Sequence, residues 1–166
     1  MTSCELLALA AARQAGLSVP PGAFSNAVNY LQSCQNADGG FGYTSAGTSA
    51  FPRSAAALAA ILATAAWTAD ARRPDTAKGA EYVLGFLPQP RADPAKTQFF
   101  YHGHYYAGEA MRLAGGETWT RWQAAVRESL LDNQHPDGSW SDTLSAELAT
   151  SEACLTLRLE KAAVEK

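Results

Sequence analysis

The chain alternates between two apolar patterns, and both have the spacing of an α-helix. In the first pattern apolar residues fill nearly every position, as in SCELLALAAA, SAAALAAILATAA and EACLTLRL, which is typical of a helix covered on all sides. In the second they recur every three or four positions and form one stripe: Phe24, Ala27, Val28 and Leu31 in one segment, and Trp119, Trp122, Val126 and Leu130 in another. The alternation predicts enclosed inner helices and one-faced outer helices near residues 3–15, 23–35, 53–67, 75–87, 101–114, 117–133 and 147–160.

A repeat underlies this alternation. The stretches LQSCQNADGGFGY and LLDNQHPDGSWSD share a glutamine, an Asp-Gly pair and an aromatic residue at an offset of 99 residues. The shared residues are Gln35, Asp38, Gly39 and Phe41 in the first copy and Gln134, Asp137, Gly138 and Trp140 in the second. Inner-helix segments begin near Ser3, Arg53, His102 and Thr150, at about half that offset, so the unit is one helical hairpin. The sequence therefore predicts a single all-α domain over residues 1–166, with about three and a half hairpin repeats.

We interpret the shared residues as a structural clamp rather than as catalytic groups. The glutamine amide is expected to hydrogen-bond free carbonyl groups at the C-terminal end of the outer helix, while the aromatic ring packs over it. The Asp-Gly pair is expected to form a turn. Trp119, Trp122 and Tyr82 follow outer-helix spacing, which favours a place in the core over a place in a ligand site.

Composition narrows the function classes. The net charge is −3, and without a basic run the chain has no feature that favours nucleic acid or an anionic membrane. The longest apolar stretch is shorter than the roughly 20 residues that span a bilayer. No secretory signal is visible, so a cytoplasmic location is the default, and an upstream segment would change it. Three widely spaced cysteines indicate neither a disulfide framework nor a zinc ribbon, and we expect them to be buried small apolar residues.

The motif Q-x-x-D-G-[GS]-[FW] resembles the QW repeat of squalene-hopene and oxidosqualene cyclases and the related repeat of protein prenyltransferase β subunits. The stretch YHGHYYAGEAMRLAGGETWTRWQAAVRESLLDNQHPDGSW is most similar to terpene-cyclase-like proteins of planctomycetes. The resemblance implies an α/α toroid whose inner helices line a central cavity. A closed toroid has about six hairpins, so this chain would form about half a ring, with an apolar inner helix exposed at each end. That arrangement predicts missing repeats, a truncated product, or self-association through the exposed inner helices.

The catalytic signatures of that family are missing. Neither the acidic D-x-D-D and D-C-T-A-E motifs of the cyclases nor the zinc-binding D-x-C pair of the prenyltransferases occurs, and G-C-G-E-Q is also absent. An H-x-H pair is present at residues 102–104, but a closed zinc site needs further ligands, and none can be placed from the sequence. We therefore predict no metal site and no cofactor.

The most site-like stretch is FFYHGHYY, at the predicted start of an inner helix. His104 either acts as an acid or base, with an unperturbed pKa of about 6.5, or is a histidine hydrogen-bonded within an aromatic helix junction. Glu5, Thr150 and Glu152 lie near other inner-helix starts, where they form either a polar rim or helix caps and first-turn charges. The candidate ligand-binding residues are His104, Tyr105, Tyr101, His102 and Arg53.

Two functional hypotheses follow. The first is a repeat scaffold whose concave apolar and aromatic surface binds a hydrophobic molecule, with an isoprenoid as one option, or a protein partner. The second is a fragment of a terpenoid cyclase or prenyltransferase whose acid lies in missing repeats or is replaced by His104. We expect Arg53, His104 and Tyr105 to converge on one pocket, where the arginine would pair with an anionic end of the ligand.

Overall fold

The structure is a computed structural model, and it describes residues 1–68, 74–89 and 93–164. Within these ranges the chain is all-α and contains seven α-helices, as the apolar pattern predicts. A short 3₁₀ turn, Ala65–Trp67, follows the third helix, which therefore ends earlier than predicted. The helices are α1 (Thr2–Gln14), α2 (Pro21–Ser33), α3 (Phe51–Ala63), α4 (Thr76–Leu84), α5 (Phe100–Ala114), α6 (Gly116–Asp132) and α7 (Ala146–Val164).

The helices pack in two layers that follow the alternation of the sequence. The odd-numbered helices form a row, in which α1 packs on α3, α3 on α5, and α5 on α7. The even-numbered helices lie against this row: α2 contacts α1, α4 contacts α3 and α5, and α6 contacts α5 and α7. The apolar stripes of α2 and α6 face the row, since Phe24, Val28, Trp122 and Val126 are buried.

Helix α3 is the centre of the molecule. Every residue from Ser54 to Ile61 is buried, and most of them are alanines. The pairing of α3 with α5 is the most extensive helix contact, and it depends on a glycine of α5. A Cβ at Gly103 would overlap the ring of Phe51, so a larger residue there would push the two helices apart. Residues of α3 belong to both hydrophobic clusters of the protein, one towards α1 and α2 and one towards α5, α6 and α7.

The helices at the two ends of the row are covered on one side. Helix α1 buries Leu6 and Ala10 but exposes Ala8 and Ala11, and α7 exposes Leu148 and Leu155. Enclosure on all sides therefore does not hold for α1 and α7, because each has a neighbour in the row on one side, and the apolar inner helix at each end is exposed as expected. The expectation that all three cysteines are buried is wrong for the same reason, since two of them lie on these end helices. Cys34 is buried, whereas Cys4 on α1 and Cys154 on α7 are exposed.

The two copies of the repeated motif fold into the same turn. Oδ1 of Asp38 accepts a hydrogen bond from the backbone N–H of Gly40 at 2.9 Å, and Oδ1 of Asp137 accepts one from Ser139 at 3.0 Å. Gly39 and Gly138 have φ angles of +87° and +86°, the left-handed region that glycine enters without a Cβ penalty. The aromatic residue that follows each turn is buried: Phe41 in the first copy and Trp140 in the second.

The glutamine of the motif has different partners from those predicted. Its amide donates to the turn itself, from Gln35 to the carbonyl of Gly39 at 3.2 Å and from Gln134 to Gly138 at 2.9 Å. Gln35 also exchanges two hydrogen bonds with the backbone of Asp75, the N-cap of α4, at 2.7 and 2.9 Å. Gln35 therefore joins one hairpin to the next through the N-terminal end of α4.

In the second copy it is the tryptophan, and not the glutamine, that hydrogen-bonds a carbonyl group near the end of the outer helix. Nε1 of Trp140 donates to the carbonyl oxygen of Leu130 in α6 at 2.7 Å. The backbone N–H of Trp140 donates to the hydroxyl of Thr150 at 3.0 Å, as that of Phe41 does to Ser54 at 2.8 Å. Thr150 thus holds the loop against α7, so that its role is structural.

Candidate functional site

His104 lies in the core. Its ring packs against the rings of Phe100 and Phe51, with centroid distances of 4.4 and 4.9 Å. Burial lowers the pKa of His104 to about 3, so the imidazole is neutral near neutral pH. Its Nδ1 has no hydrogen-bond partner among the described residues. The aromatic junction that the sequence suggests is therefore present, but the histidine is held by ring packing, and a neutral buried imidazole is a poor proton donor.

Arg53 and Tyr101 are also occupied by structural contacts. Arg53 donates from Nε to the carbonyl of Phe41 at 2.9 Å and from Nη2 to that of Thr48 at 2.8 Å, and its guanidinium lies over the ring of Tyr43. It therefore fastens the loop between α2 and α3. Tyr101 is buried edge-on against a phenylalanine ring, and burial raises its pKa to about 12.

The expected convergence of Arg53, His104 and Tyr105 on one pocket is wrong. Arg53 lines a cleft of about 230 Å³ beside the N-terminal ends of α1 and α3, together with Tyr30 and Tyr43. Tyr105 lines a different cleft, between α5 and α7, and His104 lines neither of the two. The physical reason is the helical phase of α5. Residues 104 and 105 are about 100° apart around a helix of 3.6 residues per turn, so they face different neighbours.

A second group of polar side chains links α5 to α7 and also to α1. Nδ1 of His102 lies 2.7 Å from Oε1 of Glu152, and the two side chains are 43% and 10% exposed. The ring of Tyr106 packs edge-on against that of His102, with centroids 5.0 Å apart. The hydroxyl of Tyr106 lies 3.6 Å from Sγ of Cys4, so residues 102 positions apart in sequence are in contact.

The position of Glu152 indicates which ring nitrogen of a neutral His102 carries the proton. A carboxylate beside Nδ1 favours the tautomer with the proton on Nδ1, which leaves Nε2 as an acceptor. The other carboxylate oxygen of Glu152, Oε2, is buried and has no hydrogen-bond partner among the described residues. Burial, with the Cys4 thiol as a smaller cause, raises the pKa of Tyr106, so its hydroxyl stays protonated. The pair thus offers acceptors to a molecule that carries a hydrogen-bond donor.

The stretch between α5 and α7 from this pair to Arg112 is named the α5–α7 groove. The two helices are parallel and matched at an offset of about 50 residues, since His102 meets Glu152, and a Cβ at Gly108 would meet Leu159. The groove contains a cleft of about 260 Å³, lined by Tyr105, Glu109, Arg112, Leu155, Arg158 and Leu159. From residue 102 to residue 112, α5 rises about 15 Å, which sets the length of the groove.

The far end of the groove carries cations. Arg112 donates from Nη2 to Oε2 of Glu109 at 2.7 Å, and its Nε is buried without a hydrogen-bond partner among the described residues. Arg158 is exposed and makes neither an ion pair nor a hydrogen bond with the part of the chain that the structure describes. Two arginines against one glutamate leave this end positive. Burial, followed by the Glu109 carboxylate, raises the pKa of Tyr105.

The sequence identified part of this groove. It singled out His102, Tyr105 and Glu152, but it missed Cys4, Tyr106, Glu109, Arg112 and Arg158. The pattern that would have revealed Glu109 and Arg112 is the spacing of polar residues on α5. They recur every three or four positions from His102 through Tyr105 to Glu109 and Arg112, and the structure shows all four to be half-buried. That spacing places them on one helix face.

The described residues contain neither a membrane-spanning helix nor a metal-binding cluster. Among the described residues, no helix combines the length and the apolar character needed to cross a membrane. Nor do three or more His, Cys, Asp or Glu side chains within those ranges come together in a way that could hold a metal ion.

No protein-family model, curated protein or solved structure matches this chain. The resemblance of its repeat to cyclases and prenyltransferases therefore stays a prediction.

Proposed function

We propose that the protein is a terpenoid-cyclase-like and prenyltransferase-like repeat scaffold that binds a hydrophobic molecule in the groove between α5 and α7. The observation that supports this most is the build of the groove: an apolar middle, formed by Tyr105, Leu155 and Leu159, between two polar ends. Ligand sites are typically concave and mostly apolar, with a few polar groups that fix orientation. An isoprenoid or another extended apolar chain has the shape that fits.

The two layers are, in this proposal, an arc of an α/α toroid, and the row of odd-numbered helices is its inner wall. Two observations support the arc. The Gln35 amide joins successive hairpins through Asp75, and the end helices α1 and α7 keep an apolar side uncovered. Such uncovered sides suit further repeats or self-association. Sedimentation at increasing protein concentration tests self-association, and a constant monomer mass would contradict it.

Binding is tested by calorimetric titration with n-decanol, which is apolar and uncharged. We expect Leu155→Ser to weaken binding about tenfold, because roughly 1.4 kcal/mol of apolar contact is lost. Leu148→Ser is the matched control, since Leu148 lies on the same helix at 39% exposure against 41% for Leu155 but does not line the cleft. Equal losses in both variants, or no binding of decanol by the unmodified protein, would contradict the proposal.

A catalytic function is the second candidate, and one observation favours it. The carboxylate–imidazole pair of Glu152 and His102 is an arrangement that general bases use, and Nε2 of His102 is the atom that would accept the proton. His104 cannot take this role, since burial lowers its pKa to about 3, which makes it a weak base, and encloses its ring in the core. A product formed from a terpenoid alcohol by the protein, and lost in Glu152→Gln without a change in decanol affinity, would support this candidate.

A further inference from the structure

We infer that the molecule bound in the α5–α7 groove is an amphipathic acid, whose oxyanion lies on Arg112 and Arg158 and whose apolar chain points towards His102 and Glu152. The inference rests on the proposed function, because it names the chemical class of the ligand for the same groove. It replaces Arg53, which the sequence favoured as the partner of an anionic end.

Arg158 is the first support. Two other arginines use their guanidinium groups in the fold: Arg53 donates to two backbone carbonyls, and Arg13 lies over the rings of Phe24 and Trp67 at 5.7 and 5.4 Å. Arg158 makes no such contact with the described residues, although it lines the cleft. A guanidinium offers five N–H donors in a planar fork, a geometry that matches carboxylate and phosphate.

Arg112 is the second support. Its side chain is 19% exposed, and one of its amino groups binds Glu109. The buried Nε still lacks an acceptor among the described residues. That atom is closed to solvent, so a ligand would reach Arg112 through the exposed part of its side chain, which lines the cleft. An oxyanion of the ligand is an acceptor that also offsets the excess positive charge of the two arginines.

The end of the groove at His102 and Glu152 determines which way the ligand lies. There the Glu152 carboxylate would repel an anion, and its Oε2 needs a donor rather than another acceptor. Between the two ends lie Tyr105 and Leu155, which contact an apolar chain. The charge pattern therefore favours a molecule with one acidic head over a neutral alcohol, and it disfavours a cationic head at the arginine end.

Four probes with the same ten-carbon chain test the inference: n-decanol, decanoate, decyl phosphate and decylamine. We expect decanoate, decyl phosphate or both to bind at least tenfold more tightly than decanol, and decylamine to bind no more tightly than decanol. The two acids separate a carboxylate ligand from a phosphate ligand. In Arg158→Gln the acid should lose its advantage while the affinity for decanol stays the same.

Arg121→Gln is the control for net charge, because Arg121 is an exposed arginine of α6 that does not line the cleft. It should leave all four affinities unchanged. If decanol binds but its affinity equals that of the acids, the inference fails and the proposed function stands. If no probe binds, both fail. Preference for decylamine, an acid advantage that survives Arg158→Gln, or an equal loss in Arg121→Gln overturns the inference.

Discussion

Among single residues, His104 has the clearest effect on how stability depends on pH. Its pKa is about 3 in the folded protein, against about 6.5 in an unfolded chain, so the unfolded state binds the proton more readily. Stability from this group is complete above pH 6.5 and declines as the pH falls towards 3. We expect the free energy of unfolding to fall by about 2 kcal/mol more between pH 7 and pH 5 in the unmodified protein than in His104→Phe. Urea denaturation at both pH values measures this, and equal pH dependence would contradict it.

Trp140 is a second residue with a measurable role. It is buried, and its indole N–H donates to the carbonyl of Leu130. We expect Trp140→Ala to lower the free energy of unfolding by about 3–5 kcal/mol, the range for removing a buried large aromatic side chain. Trp140→Phe should cost less, because it keeps a smaller aromatic ring in the core, although it loses the hydrogen bond. An unchanged melting temperature in Trp140→Ala would show that the aromatic residue does not hold the loop.

The two turns allow a matched comparison at the scale of elements. Gly39 and Gly138 share a left-handed backbone, so alanine at either position costs about 1–2 kcal/mol. A Cβ at Gly39 would also overlap the backbone carbonyl of Lys78 in α4, whereas at Gly138 the nearest atom is Nε2 of Gln134 at 3.8 Å. We therefore expect Gly39→Ala to be more destabilising than Gly138→Ala by roughly 1–3 kcal/mol. Chemical denaturation compares them, and equal losses would contradict the contact with α4.

The helices could largely be predicted from the sequence, but the long-range contacts between them could not. The helices follow from local spacing, as with Phe24, Val28 and Leu31, because one helix face must be apolar wherever it packs. The bond between Gln35 and Asp75 joins residues 40 positions apart, and nothing local to either residue indicates it. In α5 the sequence showed two histidines without showing which one faces the core. His102 lies on the same face of α5 as Glu109 and Arg112, which is the polar face. His104 therefore lies on the apolar side of the helix.

The whole molecule should lose structure from its ends. Helix α3 is enclosed by neighbours on several sides, whereas α1 buries only Leu6 and Ala10 fully and packs Leu7, Leu9 and Ala12 partly against the core. Local opening is easiest where few apolar contacts are lost. We expect amide hydrogens of α1 to exchange with solvent faster than those of α3, as measured by mass spectrometry of peptides from residues 2–14 and 51–63. Equal rates would indicate that the row opens as one unit.

The distribution of cysteines makes the shape of this row accessible to spectroscopy. The exposed thiols of Cys4 and Cys154 lie on the first and last helices of the row, and the third thiol, Cys34, is enclosed. Maleimide dyes or spin labels would therefore attach at the two ends of the row without any substitution. The distance between the two labels reports the curvature of the row. It would increase if the row flattened and decrease if α1 and α7 moved towards each other around a bound ligand.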